Sequence, residues 1–288
     1  MEIVPIQDLD LEPVCNFLHT NFPSHIPVQS WLAAFRRPWS ANKPNNGFML
    51  LCDEGRMVGV VGAIYSQQRV GGQLVDICNI NSWFVLPEYR SDSIYLLLAL
   101  IRQKRMHFTI LTPRLKEMEI YEFLKFRPIA TRMIVTPNLP WPFARLAGVC
   151  TVTDSKLLQQ VLTPEDAVIH KDHDGLPWLK HIAVGVDGAF CHVIYQLKRL
   201  KHLPTAEIIH VSDRVLFERY RLAVGNALLL RGVLFSRIEA RFQPQRAAIS
   251  MLQEFPLPKL LLSDLLEDSD VQNIYSEISA LDLDGLGS

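Results

Sequence analysis

The sequence lacks an apolar run of the roughly 20 residues that a membrane-spanning helix requires. Its longest apolar run, residues 94–101, is ended by Arg102. The first ten residues contain Glu2, Asp8 and Asp10 and no lysine or arginine, which is the wrong charge for a secretory signal peptide. We therefore expect a protein with no membrane span and no such leader.

Paired cysteines and an excess of basic charge are also missing. The five cysteines are odd in number, scattered and without a Cys-x-x-Cys pair, which is typical of buried thiols in a reduced cytoplasmic protein. Lysine plus arginine (29) nearly equals aspartate plus glutamate (30), and nucleic-acid binding usually needs a basic face. The expected location is cytoplasmic, and no nucleic-acid partner is expected.

Several catalytic motifs are absent. There is no Gly-x-Ser-x-Gly elbow and no P-loop lysine motif, so a serine hydrolase or a nucleotide kinase is unsupported. Residues 170–174 (His-Lys-Asp-His-Asp) could offer metal ligands, but they precede Gly175 and Pro177 and are interpreted as a loop. Cys191 and His192 are neighbours in a predicted strand and point to opposite faces. No metal is expected.

What the chain does have is a composition suited to a large core, with 49% apolar and 20% charged residues over 288 positions. Apolar residues near the start of the chain have helical spacing. Strand-like runs and helices then alternate along the sequence. The first half is predicted to contain strands at 48–52, 57–65, 74–84, 108–111 and 129–135, with helices at 94–101 and 117–124. This order predicts an α/β fold, in the α+β sense of a mixed sheet.

The second half repeats the same order of elements. Residues 207–213 can be aligned with residues 76–82, followed in each case by a helix and a strand. This favours two domains in tandem; two unrelated α/β domains are the alternative. The predicted bounds are 1–136 for the first domain, 137–145 for a proline-rich linker, 146–262 for the second domain and 263–288 for an acidic, solvated or loosely docked tail. Because the second copy lacks a counterpart of residues 85–93, chemistry is expected in the first.

The segment Trp83-Phe84-Val85-Leu86-Pro87-Glu88-Tyr89-Arg90, between a long strand and an apolar helix, resembles the core of the GNAT superfamily of acyl-CoA-dependent N-acyltransferases. Residues 90–95 stand where that family has Arg/Gln-x-x-Gly-x-Gly/Ala, and residues 121–126 (Tyr-Glu-Phe-Leu-Lys-Phe) where it has Tyr-x-x-Leu-Gly-Phe. The resemblance covers about residues 1–135. The second half resembles the same fold more faintly, as in tandem members of the superfamily.

The resemblance implies a thioester donor, acetyl-CoA or a longer acyl-CoA, and an amine acceptor that is a small molecule or a peptide. It implies that a loop before a helix holds the donor pyrophosphate with its backbone amides, and that a backbone amide near Phe84 or Val85 binds the thioester oxygen. The implied donor-binding residues are Phe84, Val85, Arg90, Ser91, Ser93, Ile94 and Tyr95. Tyr121 stands at the family's thiol-protonating tyrosine, although it could also simply cover the core.

Polar residues on the strand before this segment are further candidates. Asn79 and Asn81 share one face of the strand and could order a water relay to the amine or satisfy backbone groups at a splayed edge. Asp76 could be a distant base or a solvated residue at the strand start. Arg90 could bind phosphate or pair with a neighbouring carboxylate.

The chain departs from the family pattern at three positions. Ser93 and Lys125 replace glycines, and Tyr95 replaces a small residue, although glycine lets backbone approach a phosphate most closely. The predicted function is acyl transfer from a thioester to an amine by direct attack. Two alternatives stay open, namely an acyl carrier protein as donor partner and a non-catalytic GNAT-like binding or scaffold protein.

Overall fold

A computed structural model describes residues 1–22, 26–141, 148–186, 188–243, 245, 247–255 and 258–283. These residues form two compact units. The first is Met1–Ile129 with the described part of Leu257–Ser288, and the second is Ala130–Pro256.

The first unit is built on a seven-stranded sheet. Its strands are β1 (Glu2–Pro5), β2 (Gly47–Leu51), β3 (Met57–Val70), β4 (Gln73–Val85), β5 (His107–Ile110), β6 (Arg127–Ile129) and β14 (Lys259–Leu262). The spatial order is β1-β2-β3-β4-β5-β14-β6. Only β4 and β5 pair in parallel, and every other neighbouring pair is antiparallel. The sheet is therefore mixed, as predicted.

The helices that accompany this sheet in the first half of the chain are α1 (Leu11–Asn21), α2 (Val28–Phe35), α3 (Ser93–Ile101) and α4 (Met118–Phe123). Leu96, Leu97 and Leu100 of α3 are fully buried among strand residues such as Val61 and Cys78. This apolar side of α3 holds the N-terminal end of the helix beside the end of β4.

The second unit has the same plan. Its strands are β7 (Arg132–Pro137), β8 (Cys150–Val152), β9 (Leu179–Val186), β10 (Ala189–Leu200), β11 (Leu203–Val211), β12 (Phe235–Glu239) and β13 (Met251–Glu254), and its helices are α5 (Ser155–Val161), α6 (Pro164–His173) and α7 (Arg214–Leu229). The spatial order is β13-β7-β12-β11-β10-β9-β8, and β11 and β12 form the parallel pair. The predicted alignment of 207–213 with 76–82 therefore matches β11 with β4.

Each sheet contains one strand from a segment that the predicted bounds did not assign to that domain. β14 lies between β5 and β6, and β7 lies between β12 and β13, each antiparallel to both neighbours. The single strand expected at 129–135 is therefore two strands in different sheets, and a boundary at residue 136 is wrong. Local periodicity fails here because Met133, Ile134 and Val135 are all buried, so this strand shows no alternation that would identify its sheet.

The start of the expected linker also belongs to the second unit. The backbone N–H of Asn138 donates to the carbonyl of Leu234 over 2.8 Å, and its side chain donates to the carbonyl of Val233 over 2.9 Å. Trp141 N donates to Asn226 Oδ1 over 2.8 Å. Residues 142–145 of the expected linker lie outside the described residues.

The tail from residue 263 was expected to be solvated or loosely docked, and it is instead packed into the first unit. Leu266, Val271, Ile274 and Leu281 are at most 2% exposed, and a short helix α8 (Glu277–Ala280) lies among them. The apolar residues are interleaved with acidic ones, and their burial in the first unit outweighs the acidic composition. The expected end of the second domain at residue 262 is therefore also wrong, because β14 is a strand of the first sheet.

Residues 170–173 form the end of a helix rather than the expected loop. Thr163 Oγ1 accepts a hydrogen bond from the backbone of Asp166, and Pro164 occupies the first helical position. Thr-Pro at these positions is a helix start, and Gly175 and Pro177 lie beyond the helix end, where they are tolerated.

Candidate acyl-donor groove

The site begins where two parallel strands separate. β4 pairs with β5 only at Ile77–His107, Cys78–Phe108 and Asn79–Thr109. Beyond this point β4 continues to Val85 beside β3, while β5 ends at Ile110. Among the residues that the structure describes, no strand pairs with residues 80–85 of β4 on the β5 side, and an extended ligand could pair with their backbone groups.

A bulge in β4 shapes this free edge. The β3–β4 register shifts between Val60 and Gly62, and Ser82 has a φ of 52°, a left-handed conformation that costs a non-glycine residue about 1–3 kcal/mol. Gly62 makes the bulge possible, because a Cβ there would lie 2.7 Å from Asn81 Oδ1 and 2.9 Å from the Phe35 ring. Bulges of this kind re-aim backbone and side chains at functional edges.

A groove of about 470 Å³ follows the free edge. It is lined by Trp83, Phe84, Val85, Arg90, Ser93, Arg114, Lys116, Glu117 and Ile120. A smaller recess of about 50 Å³ shares Trp83, Arg114 and Glu117 with it and adds Asn81, Thr112 and Tyr121. Three cationic side chains face one carboxylate in the larger groove, so its lining has a net positive charge that suits an anionic ligand.

Tyr121 lies at the inner end of the site. It is 3% exposed, its ring centroid is 5.9 Å from that of Trp83, and its hydroxyl donates to Glu117 Oε2 over 2.7 Å. Burial, followed by the negative charge of Glu117, raises the pKa of the Tyr121 hydroxyl, so the phenol is protonated at neutral pH. Burial also raises the pKa of the Glu117 carboxyl.

Six of the eleven residues expected at the site line these cavities: Asn81, Phe84, Val85, Arg90, Ser93 and Tyr121. The other five do not. Asp76 accepts from Gln67 Nε2 over 3.1 Å, and Asn79 is 1% exposed, with its amide near Thr109 Oγ1 at 3.4 Å. Neither residue lines either cavity.

The remaining three belong to the loop and the first turn of α3. Ser91 donates to Asp92 Oδ2 over 3.1 Å, and neither Ile94 nor Tyr95 lines the groove. The bulky side chain of Tyr95 is 54% exposed and is not part of the groove lining. Ser93 donates twice to the carbonyl of Arg90, from Oγ over 2.7 Å and from its backbone N–H.

The sequence pattern missed Arg114, Glu117 and Glu277. Arg114 lies 4.3 Å above the Phe22 ring centroid and 3.9 Å from Glu117, and Glu117 stands one turn before Tyr121 on the same helical face. The i, i+4 spacing of Glu117 and Tyr121 was the available signal.

Glu277 comes from the segment that was expected to be solvated. Its Oε1 accepts from Thr112 Oγ1 over 2.6 Å, and its backbone N–H donates to Asn79 Oδ1 over 3.3 Å. Oε2 has no hydrogen-bond partner among the residues that the structure describes. Burial raises the pKa of this carboxyl.

No helix in the described part of the chain has the length and apolarity to cross a membrane. No family model matches the sequence, and no curated protein matches it either.

Solved structures do resemble it. A GCN5-related N-acetyltransferase from Anabaena variabilis shares 13% identity with a TM-score of 0.59, over 90% of this chain and 72% of that one. A second, from Kribbella flavida, shares 14% identity with a TM-score of 0.57, over 90% and 70%. Eis1 from Mycobacterium abscessus shares 13% identity with a TM-score of 0.54, over 91% and 73%.

These likenesses and the two seven-stranded mixed sheets define the fold. The chain has the GNAT fold, as two GNAT-like units in tandem.

Proposed function

We propose that this chain transfers an acyl group from an acyl-CoA to an amine in its first unit. The observation that carries the proposal is the free edge of β4 after Asn79, which opens into a groove lined by Arg90, Arg114 and Lys116. The fold similarity to N-acetyltransferases supports the reaction class.

Two features of the groove support an acyl-CoA donor. The amide-rich pantetheine arm of CoA would pair with backbone groups of residues 80–85, as an added strand does. Its phosphates would lie toward Arg90, Lys116 and the N-terminus of α3, where backbone N–H groups and the helix dipole favour an anion.

Direct attack then needs the amine as nucleophile, a hydrogen-bond donor for the thioester oxygen, a base for the amine proton and an acid for the leaving thiolate. The amine nitrogen forms a bond to the thioester carbonyl carbon, and the C–S bond breaks. A backbone N–H near Phe84 or Val85 stabilises the carbonyl oxygen as it gains charge. The amine loses a proton, and the leaving thiolate gains one.

The pair of Glu117 and Tyr121 offers a route for both protons. Glu117 lines both cavities and takes the amine proton directly or through water, while Tyr121 gives its hydroxyl proton to the thiolate. Glu117 then returns a proton to Tyr121 across their 2.7 Å hydrogen bond. Asn81 orders water in the recess, and the acceptor is a small-molecule or peptide amine.

The first test is calorimetry with CoA, acetyl-CoA and longer acyl-CoAs, followed by release of free CoA thiol in the presence of a panel of primary amines and peptides. We expect the Arg90→Ala variant to bind CoA about tenfold or more weakly, since a hydrogen bond to a charged group contributes ~1.5–3 kcal/mol. The matched control is Arg102→Ala, an exposed arginine at the other end of α3.

The outcomes separate the proposal from its alternatives. Binding with amine-dependent thiol release supports it. Binding of phosphopantetheine but not of CoA favours a carrier-protein donor. Binding of CoA without transfer to any amine favours a non-catalytic protein, and no binding of either ligand overturns the assignment of the groove.

A further inference from the structure

The second unit contains a cluster of histidines that is separate from the acyl-donor groove. His170 lies near the end of α6, and His181 and His192 lie on the paired strands β9 and β10. His181 Nδ1 is 3.2 Å from His170 Nδ1 and 3.2 Å from His192 Nε2. His192 pairs with Ala183, two residues from His181, so the two strand histidines share one face of the sheet.

The surroundings of His170 fix its tautomer. Ser155 Oγ donates to Asp174 Oδ2 over 2.8 Å, so it is an acceptor for His170 Nε2 at 3.1 Å. His170 therefore carries its proton on Nε2, and the lone pair of Nδ1 points at the other two histidines. A carboxylate acting through such a hydrogen bond is typical of the groups that orient a metal-bound imidazole.

Hydrogen bonds alone satisfy this cluster poorly. Each imidazole nitrogen offers either one hydrogen or one lone pair. If His181 Nδ1 carries a hydrogen, that single hydrogen faces the lone pair of His170 and also His192 Nε2. If it does not, the two lone pairs of His170 and His181 face each other. Three converging nitrogens at 0% exposure for His170 and His192 therefore share at most one suitable proton, although unpaired buried polar atoms are costly.

A metal ion would use all three lone pairs at once. In tetrahedral Zn²⁺ sites the Zn–N distance is about 2.0–2.1 Å, which places neighbouring ligand nitrogens ~3.3 Å apart. The two separations of 3.2 Å from His181 Nδ1 match that edge, and a ligand atom of each of the three residues lies within 4.8 Å of the others. Imidazole nitrogen is a preferred ligand of zinc and similar ions.

The cluster also lies beside a cavity and near acidic side chains. A cavity of about 320 Å³ is lined by His181, Asp174, Lys180 and Tyr195. Asp166 offers a carboxylate oxygen within 4.8 Å of a ligand atom of His192.

We propose that His170, His181 and His192 bind one divalent transition-metal ion, of which Zn²⁺ is the probe of choice, with the fourth position left to water. The region was expected from sequence to hold no metal, because residues 170–174 were interpreted as a loop. Helix α6 and two strands instead bring three ligands from three elements together.

The test uses the full chain freed of metal by a chelator. Titration with Co²⁺ is expected to give the intense visible bands of tetrahedral coordination and to saturate at one ion per chain, and Zn²⁺ is expected to displace it and raise the Tm by several degrees. The His181→Asn variant should lose the bands and the Tm shift. The matched control His202→Asn changes an exposed histidine on the turn between β10 and β11 and should keep both.

X-ray absorption on the zinc-loaded wild-type chain keeps the test decisive if the variant fails to fold. Three imidazole nitrogens at about 2.0–2.1 Å support the site. Sulfur ligands, oxygen ligands alone, an octahedral Co²⁺ spectrum, or equal binding by wild type and a folded His181→Asn variant would each overturn it. None of these readouts depends on acyl transfer.

Discussion

The hydroxyl of Tyr121 donates a hydrogen bond of 2.7 Å to Oε2 of Glu117, one helical turn earlier in the chain. Both groups line the recess next to the free edge of β4. Burial raises the pKa of each, so the Glu117 carboxylate is a stronger base and the Tyr121 phenol keeps its proton at neutral pH. This pair links the sequence-derived acid candidate to a carboxylate that the motif did not include.

Replacing Tyr121 with phenylalanine removes the proposed acid and keeps the ring against Trp83. We expect kcat to fall by ~10²–10⁴-fold, the usual contribution of a positioned acid or base, while CoA affinity stays within about twofold. The measurement is steady-state kinetics together with calorimetry.

Tyr65→Phe is the matched control for that change. Tyr65 is a buried tyrosine of the same unit that donates to Asn45 Oδ1 over 2.7 Å and does not line the groove. Its loss should cost about 1 kcal/mol of stability and leave kcat unchanged. Equal loss of kcat in both variants would show that Tyr121 acts only through stability.

The Glu277 carboxyl should make stability fall as pH rises. Burial raises its folded-state pKa above the unfolded value of 4.5, so the folded state binds its proton more tightly. The stabilising effect is present below about pH 4.5 and is lost as pH rises through the higher folded-state pKa. Thr112, Asn79 and Lys259 face the carboxyl and reduce this shift without reversing it.

Glu277→Gln removes the ionisation and keeps an oxygen for Thr112. We expect the variant to have a higher Tm than wild type at pH 8 and a smaller difference at pH 4.5, measured by thermal unfolding across that range. Asp282→Asn is the matched control, since it neutralises an exposed carboxyl of the same segment. A Tm difference for Glu277→Gln that does not change with pH would contradict the assignment.

Much of the first unit could be predicted from its sequence. The strand expected at 74–84 is β4 (Gln73–Val85), and the helix expected at 94–101 is α3 (Ser93–Ile101). Such elements can be predicted because the spacing of their apolar residues is a local property of the sequence. The tandem GNAT fold, which the resemblance to that family implied, is confirmed.

The remaining features depend on contacts between residues far apart in sequence. Which sheet receives β7 or β14 is decided by strand pairing across more than 100 residues, and no local pattern encodes it. Glu277 reaches Thr112 from a segment whose acidic composition suggested solvent. His170, His181 and His192 likewise come together only when a helix packs on a hairpin.

Gly62 should be required for the bulge in β4. Gly62→Ala places a Cβ 2.7 Å from Asn81 Oδ1 and 2.9 Å from Phe35, and such overpacking costs about 1–3 kcal/mol. We expect a lower Tm and a fall in kcat/KM, because the bulge sets the backbone of residues 82–85. Gly175→Ala, where nothing lies within 4 Å of the new Cβ, should change neither. Unchanged kcat/KM in Gly62→Ala would show that the bulge does not position the site.

Tyr95 should have no influence on the donor. Its side chain is 54% exposed and outside the groove, although a small residue at this position was expected to be needed for phosphate. Tyr95→Ala is therefore predicted to bind CoA within about twofold of wild type, whereas Lys116→Ala, which removes a cation from the groove lining, should bind it about tenfold or more weakly. Calorimetry with CoA on both variants shows which of the two side chains contributes to CoA binding. Tighter binding by Tyr95→Ala would mean that the tyrosine swings over the groove and that the wild-type site is partly closed to CoA.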